Sequence, residues 1–207
     1  MAPDVELRQL MSIPAATICE ANDGIGAVSP AIRSVGPRMR VAGPAFTVKL
    51  FPGDNLAAIH ANGLAKPGDV LVIDAGRTDE AMVVWGASST LAAKMRGIAG
   101  VVTNGAVRDL DEIIQIGLPV FAAGVCLRGN AKNHPGWLNV PVTIGDVVIE
   151  PGDIVVGDSD GVVVVQKNRV SEVLRKALVQ RQKEEERDRR IRSGEPIQAA
   201  MGVPARK

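Results

Sequence analysis

Tyrosine is absent from this sequence, and only three Phe and two Trp occur in 207 residues. An interior without large rings has to be filled by Val, Ile, Leu and Ala, which suits close helix–sheet layers rather than an aromatic cluster. The same scarcity argues against modules that bind nucleic acid by stacking bases on aromatic platforms. An excess of charge of either sign is missing too. The 24 Lys and Arg offset 23 Asp and Glu, leaving a formal net charge of +1. No global field then draws the chain to nucleic acid or to an anionic membrane. No apolar run approaches the ~18 residues of a spanning helix, and the N-terminus has no basic region followed by an apolar stretch. The expectation is a cytoplasmic protein with neither nucleic acid nor membrane as partner.

Cysteine and histidine are almost as scarce. Cys19 and Cys126 stand far apart among apolar neighbours, without CxxC or metal-ligand spacing. They read as small buried hydrophobes rather than a disulfide. His60 and His134 are the two histidines. Neither lies in a Gly-x-Ser-x-Gly context and they do not share zinc-ligand spacing, so a nucleophilic triad and a zinc site are both poorly supported. His60, in a short apolar helix, reads as a core residue, and His134, ahead of Pro135-Gly136 in a polar loop, as a candidate lining residue. No GxGxxG fingerprint or phosphate-binding loop is present.

What the chain does have is length for one domain with a real core, and a strand–helix alternation. Residues 1–22 read as helix broken near Ser12-Ile13-Pro14, with Ser12 as a cap. Residues 23–44, rich in Gly and Pro, read as extended and turn-rich, and 45–50 as a strand followed by a helix over 55–62. Val70-Leu71-Val72-Ile73-Asp74 has the pattern of a strand buried on both faces. A helix from about Trp85 to Met95, a strand over 100–103, a helix over 109–116 and a strand over 119–122 complete an α/β succession. That order predicts a parallel, helix-covered sheet. From residue 138 short strands follow one another without helices. Lys66-Pro67-Gly68-Asp69 and Glu150-Pro151-Gly152-Asp153 share turn chemistry rather than marking a repeat. Residues 167–193 form one long charged helix with a packing stripe of Val170, Val173, Leu174, Ala177 and Leu178. Beyond Gln180 the stripe fades into mixed charge. That part is either a solvated helix or one that projects onto a neighbouring subunit.

Two constellations carry chemistry. Gly105-Ala106-Val107-Arg108-Asp109 follows the strand at 100–103, at the carboxyl edge where open α/β sheets bind ligands. Arg108 can fork onto a carboxylate or enolate oxygen, and Asp109 offers a hard oxygen to a divalent cation. The bland alternative is a helix cap with a surface ion pair. Trp85-Gly86-Ala87-Ser88-Ser89 stands at a helix N-terminus, whose free amides either seat a substrate carboxylate or are capped by a serine.

These residues, with Gly53-Asp54-Asn55, Val70 to Gly76, Leu118 to Phe121, Asn139 to Val142 and Asp158 to Val162, resemble the RraA-like family over about residues 12–195. The family includes the regulator of ribonuclease activity A and the class II 4-hydroxy-4-methyl-2-oxoglutarate aldolases, which also decarboxylate oxaloacetate. The resemblance implies a single-domain, three-layer β/β/α (swivelling-domain-like) α/β fold over 1–207, assembled as homotrimer or homohexamer with the C-terminal helix on a neighbour. It implies Mg²⁺ or Mn²⁺ on Asp109, Arg108 on the C2 oxygen of a pyruvate-like group, and the backbone of Gly86, Ala87, Ser88 and Ser89 around its carboxylate. Lys132 matches a basic residue of the substrate loop, and Glu184 an acid donated by the neighbouring subunit. Aldolase members carry Asp or Glu directly after the Trp-Gly, where this chain has Ala87.

The expected function is therefore metal-dependent cleavage of a C–C bond in a small 2-oxo acid. A Schiff-base mechanism on Lys49, Lys94 or Lys132 is weaker, since none stands in a desolvating strand pocket. The alternative from another class is a non-enzymatic regulator that binds a ribonuclease.

Overall fold

The computed structural model describes residues 3–76 and 82–204. The chain opens with α1 (Pro3–Ser12) and α2 (Ala15–Ala21), then β1 (Arg33–Ser34), β2 (Val41–Lys49), α3 (Leu56–Leu64) and β3 (Val70–Asp74). Next come β4 (Val83–Trp85), α4 (Ala87–Met95), β5 (Gly100–Thr103), β6 (Ala106–Val107), α5 (Leu110–Ile116), β7 (Val120–Ala122) and β8 (Gly124–Val125). The last part holds β9 (Trp137–Leu138), β10 (Val142–Ile144), β11 (Val147–Ile149), β12 (Ile154–Asp158), β13 (Gly161–Val165), α6 (Val170–Arg192) and α7 (Ile197–Ala200).

The main sheet runs β1-β7-β5-β3-β2-β12-β13, with β9 added to β2. Its centre, β7-β5-β3-β2, is parallel, and every residue of β3 and β5 is buried. The late strands, read from the sequence as following one another without helices, do so in two groups. β12 joins the sheet antiparallel to β2 and β13 follows antiparallel to β12, making it mixed, while β10 and β11 form their own hairpin. The result is the three-layer β/β/α arrangement. One apolar cluster spans Val70–Ile73, Ala57, Ala61, Ala93, Ile113, Ile144 and Ile149. A second joins α1, α2 and α6 to Ile154, Val156, Val163 and Val165.

β2 begins four residues earlier than its composition predicts and runs through Gly43-Pro44. Val41 to Pro44 pairs with β12, and pairing with β3 starts at Ala45. Pro44 thus sits at the handover, where its missing N–H is tolerated. The two Pro-Gly turns feed the strands on either side of β2, and each is closed by the same bond. Lys66 N donates to Asp69 Oδ2 at 2.7 Å and Glu150 N to Asp153 Oδ2 at 3.0 Å.

Several local expectations change. Ser12 does not cap the second helix: its hydroxyl donates back to Gln9 O, and Asp158 Oδ2 accepts from Ala15 N at 2.9 Å instead. The run Val83-Val84-Trp85 is a buried strand, not the start of a helix, and pairs with β6, which pairs with β8, in a small parallel sheet. Short apolar runs carry no period that separates the two. Both cysteines are half-buried and outside any disulfide, and His60 is exposed rather than in the core. Helix α6 buries Val170, Val173, Leu174 and Ala177 in its own chain, while Leu178 is half-exposed. Among the described residues no helix is long and apolar enough to cross a membrane.

Candidate functional site

The small sheet β4-β6-β8 delivers the two constellations to one place. β4 ends at Trp85, which is 1% exposed and pinned by its Nε1–H to Thr90 Oγ1 at 2.8 Å; Thr90 in turn donates to Gly86 O at 2.9 Å. That closes the first turn of α4 around Gly86. β6 runs parallel beside β4 and ends at Val107, so Arg108 and Asp109 emerge next to Gly86, with Arg108 N donating to Trp85 O at 3.2 Å.

Of the bland alternatives, the geometry excludes the side-chain caps, of α5 by Asp109 and of α4 by a serine, while an exposed Arg108–Asp109 ion pair is present. Asp109 precedes α5 in a left-handed conformation, φ 61° and ψ 48°, and makes no side-chain cap of that helix. Its Oδ2 turns across to accept from Ala87 N at 3.1 Å. The ion pair with Arg108 Nε is loose, at 3.8 Å, and both side chains are half-exposed. Left-handed backbone at a non-glycine residue costs about 1 kcal/mol or more and is concentrated at functional positions. Neither serine caps α4, whose N-cap is Gly86 with no side-chain bond. The amides of Ser88 and Ser89 lie in the first turn, where a helix has no internal acceptor for them.

These groups line a cleft of about 610 Å³. Gly86, Ser88, Ser89, Arg108, Asp109 and Lys132 all border it, and Ala87 reaches it through its amide to Asp109. Glu184 does not line the cleft of its own chain; it accepts from Thr17 Oγ1 at 3.0 Å on the far side of α2. His134 is also not in the cleft. Its ring stacks on Phe51, centroids 4.0 Å apart, and Trp137 lies under Lys49 Nζ at 6.0 Å from the ring centre.

Sequence reasoning missed Asn55, Asn62, Arg96 and Asn130, which also face the cleft. Asn62 is 6% exposed and ties α3 to α4 by donating to Ser89 O at 2.8 Å, so it helps set the first turn of α4. A polar residue within the Ala-rich stretch 56–64 was the available signal. Gly86 is required by space: a Cβ built there lies 2.8 Å from Asp109 Oδ2. Gly86→Ala is expected to push the Asp109 carboxylate aside while leaving the buried core alone. Because a misplacement of about 1 Å in a catalytic group can cost roughly 100-fold, kcat/KM should fall by about that factor with little change in melting temperature. Steady-state kinetics beside a thermal melt check this.

A family model described as RraA-like, Aldolase/RraA, matches residues 15–164. The chain belongs to the RraA-like family. A protein of Halalkalibacterium halodurans named "Putative 4-hydroxy-4-methyl-2-oxoglutarate aldolase" is 39% identical over 185 residues, covering 89% of this chain and 88% of that protein. An uncharacterized protein from Pseudomonas syringae pv. tomato superposes with a TM-score of 0.87 at 31% identity, covering 96% of this chain and 93% of that one. Streptomyces coelicolor RraAS2, described as an unusual member of the RNase ES inhibitor RraA protein family, superposes with a TM-score of 0.76 at 29% identity, over 87% and 94% of the two chains. Within this RraA-like chain, Ala87 lends only its backbone to the site.

Proposed function

We propose that this RraA-like protein is a divalent-metal-dependent lyase that cleaves a C–C bond of a small 2-oxo acid and releases pyruvate, in the manner of a 4-hydroxy-4-methyl-2-oxoglutarate aldolase or oxaloacetate decarboxylase. The observation that carries the reading is the meeting of Arg108, Asp109 and the free amides of α4 at one end of one cleft.

The residues fit a hard cation held lightly. Among the described residues no group of three or more His, Cys, Asp or Glu is gathered, and Asp109 is the carboxylate that borders the cleft. One carboxylate, with substrate oxygens and waters, is an ordinary donor set for Mg²⁺ or Mn²⁺ and a poor one for zinc. When bound on Asp109, the cation supplies Lewis-acid polarisation of the 2-oxo group. The amides of Ser88 and Ser89 hold the substrate carboxylate, and the Arg108 guanidinium faces the C2 oxygen. As the C3–C4 bond breaks, its electron pair moves onto the pyruvate fragment and the negative charge collects on that oxygen. Arg108 stabilises it, a preorganised contact worth roughly 3–4 kcal/mol. In the retro-aldol reaction the C4 hydroxyl gives its proton to water in the open cleft and becomes the carbonyl of the departing fragment; in decarboxylation the fragment leaves as CO₂. In both, C3 of the enolate then takes a proton from water to give pyruvate. Lys132, which also borders the cleft, adds a positive charge for the anionic substrate. The site is completed in a homotrimer or homohexamer in which Glu184 of a neighbour leaves Thr17 and faces the cleft. The protein works in the cytoplasm.

The test is pyruvate release from oxaloacetate and from 4-hydroxy-4-methyl-2-oxoglutarate, with Mg²⁺ or Mn²⁺ and with EDTA. Release that needs the metal supports the reading, and full activity in excess EDTA sinks it. Ala87 favours a second reading, because this chain has Ala where aldolase members of the family carry an acid directly after the Trp-Gly. That reading is a regulator that binds a ribonuclease. Co-purification with a ribonuclease, beside a null lyase assay, distinguishes the two.

A further inference from the structure

Asp54 lies just ahead of α3, is 3% exposed, and gives its carboxylate to backbone amides. Oδ1 accepts from Leu56 N at 2.8 Å; Oδ2 accepts from Asn133 N at 2.5 Å and His134 N at 3.1 Å. Beside these bonds, Asn55 N donates to Ala131 O at 3.1 Å and Ala131 N to Gly53 O at 3.0 Å. The loop 129–134 is thereby stitched to the start of α3. Its inner edge carries Gly129, Asn130 and Lys132 into the cleft. A Cβ built on Gly129 would stand 3.5 Å from Arg108 Nη1, so a side chain added at this point of the loop would meet the guanidinium in ordinary van der Waals contact.

Chemistry requires a carboxylate here rather than its amide. An Asn would turn an NH₂ group toward one of the amides that now donate, leaving a buried donor unpaired and a charge-assisted bond lost. Burial alone pushes the Asp54 carboxyl up, but the amides of Asn133, Leu56 and His134 outweigh it and hold the group below the ordinary carboxylate range. The group stays ionised at neutral pH and is no proton carrier.

We infer that Asp54 is a positioning residue of the cleft, holding loop 129–134 on α3 and so setting where Lys132 and Asn130 stand against Arg108. The kinetic part of the test rests on the lyase reading. Asp54→Asn is expected to raise KM by roughly 10-fold or more while kcat stays within about threefold, because the displaced groups bind substrate whereas Arg108 and Asp109 act on the breaking bond. Lys132→Ala should reproduce that split, and the double variant should be no worse than about threefold beyond the weaker single variant, since both lose one interaction. Losses that multiply, or a wild-type KM in Asp54→Asn, overturn the inference.

Asn133→Pro, which deletes one donor and leaves Asp54 in place, serves if Asp54→Asn does not fold; the same KM rise is expected, and an unchanged KM overturns. If the wild-type protein releases no pyruvate from any 2-oxo acid, the lyase reading fails by itself. Hydrogen exchange then decides on Asp54. Faster exchange confined to residues 129–134 in the variant supports the inference, and unchanged exchange there overturns it.

Discussion

Asp109→Ala is expected to lower metal-stimulated pyruvate release by roughly 10²–10³-fold, with kcat and kcat/KM falling together, the pattern of an interaction made in the transition state. The structure makes this variant informative because the side chain supports nothing else large. Asp109 does not cap α5 with its side chain, is half-exposed, and beside one bond from Ala87 N makes a loose pair with Arg108. The melting temperature should therefore hold or fall slightly, since a left-handed backbone costs Ala more than Asp while the lost bond to Ala87 N is at the surface. Titration with Mn²⁺, followed by its paramagnetic signal, should show binding in the wild type and its loss in Asp109→Ala. Retention of activity and of Mn²⁺ binding together would remove Asp109 from the mechanism. Introducing a second acid directly after Trp85-Gly86, as Ala87→Asp, belongs in the same titration as the comparison that asks whether one carboxylate suffices.

The second large effect falls on stability. Gly43→Ala places a Cβ 2.3 Å from the backbone oxygen of Gly68 and 3.1 Å from Val70 Cγ2, near the start of β2 in the interior of the main sheet. A flexible side chain could yield, but a carbonyl in the turn that launches β3 cannot move without shifting that strand. Overpacking of this kind costs about 3 kcal/mol, at the upper end of its usual range. In a chain of this size, that lowers the melting temperature by roughly 10 °C. A thermal melt followed by circular dichroism measures it. A melt within two or three degrees of wild type, a range set by about 1 kcal/mol, would show that the turn and β2 separate easily, and that the layer contact at Gly43 is not rigid.

Gly43 also shows where a sequence misleads. Gly43-Pro44 has the composition of a turn, yet the strand runs straight through it. Composition reports local preference, whereas the contact that demands Gly43 comes from residue 68, and Pro44 is tolerated because its neighbour strand joins one residue later. Trp85 misleads in the same way: three apolar residues have no period, and only the pairing of β4 with β6 decides that they are extended. Asn62 stayed hidden because its contribution is a bond to Ser89 O across two helices.

By itself the sequence determined the buried parallel strands, through continuous Val and Ile runs, and the long charged helix, through its stripe. It also determined the family, through ordered landmarks from Gly53 to Val162. It named Arg108, Asp109 and the Gly86–Ser89 segment as chemistry, because a carboxyl edge and a helix N-terminus are local properties of the chain. Only the tertiary structure decided that these two segments face each other, that Asp109 reaches across to Ala87 instead of capping α5, and that Asp54 holds a loop nearly eighty residues away in sequence. The reason is physical. Backbone preference and hydrophobic period act over a few residues, but a hydrogen bond between a carboxylate and a distant amide exists only after the sheet has brought the two together.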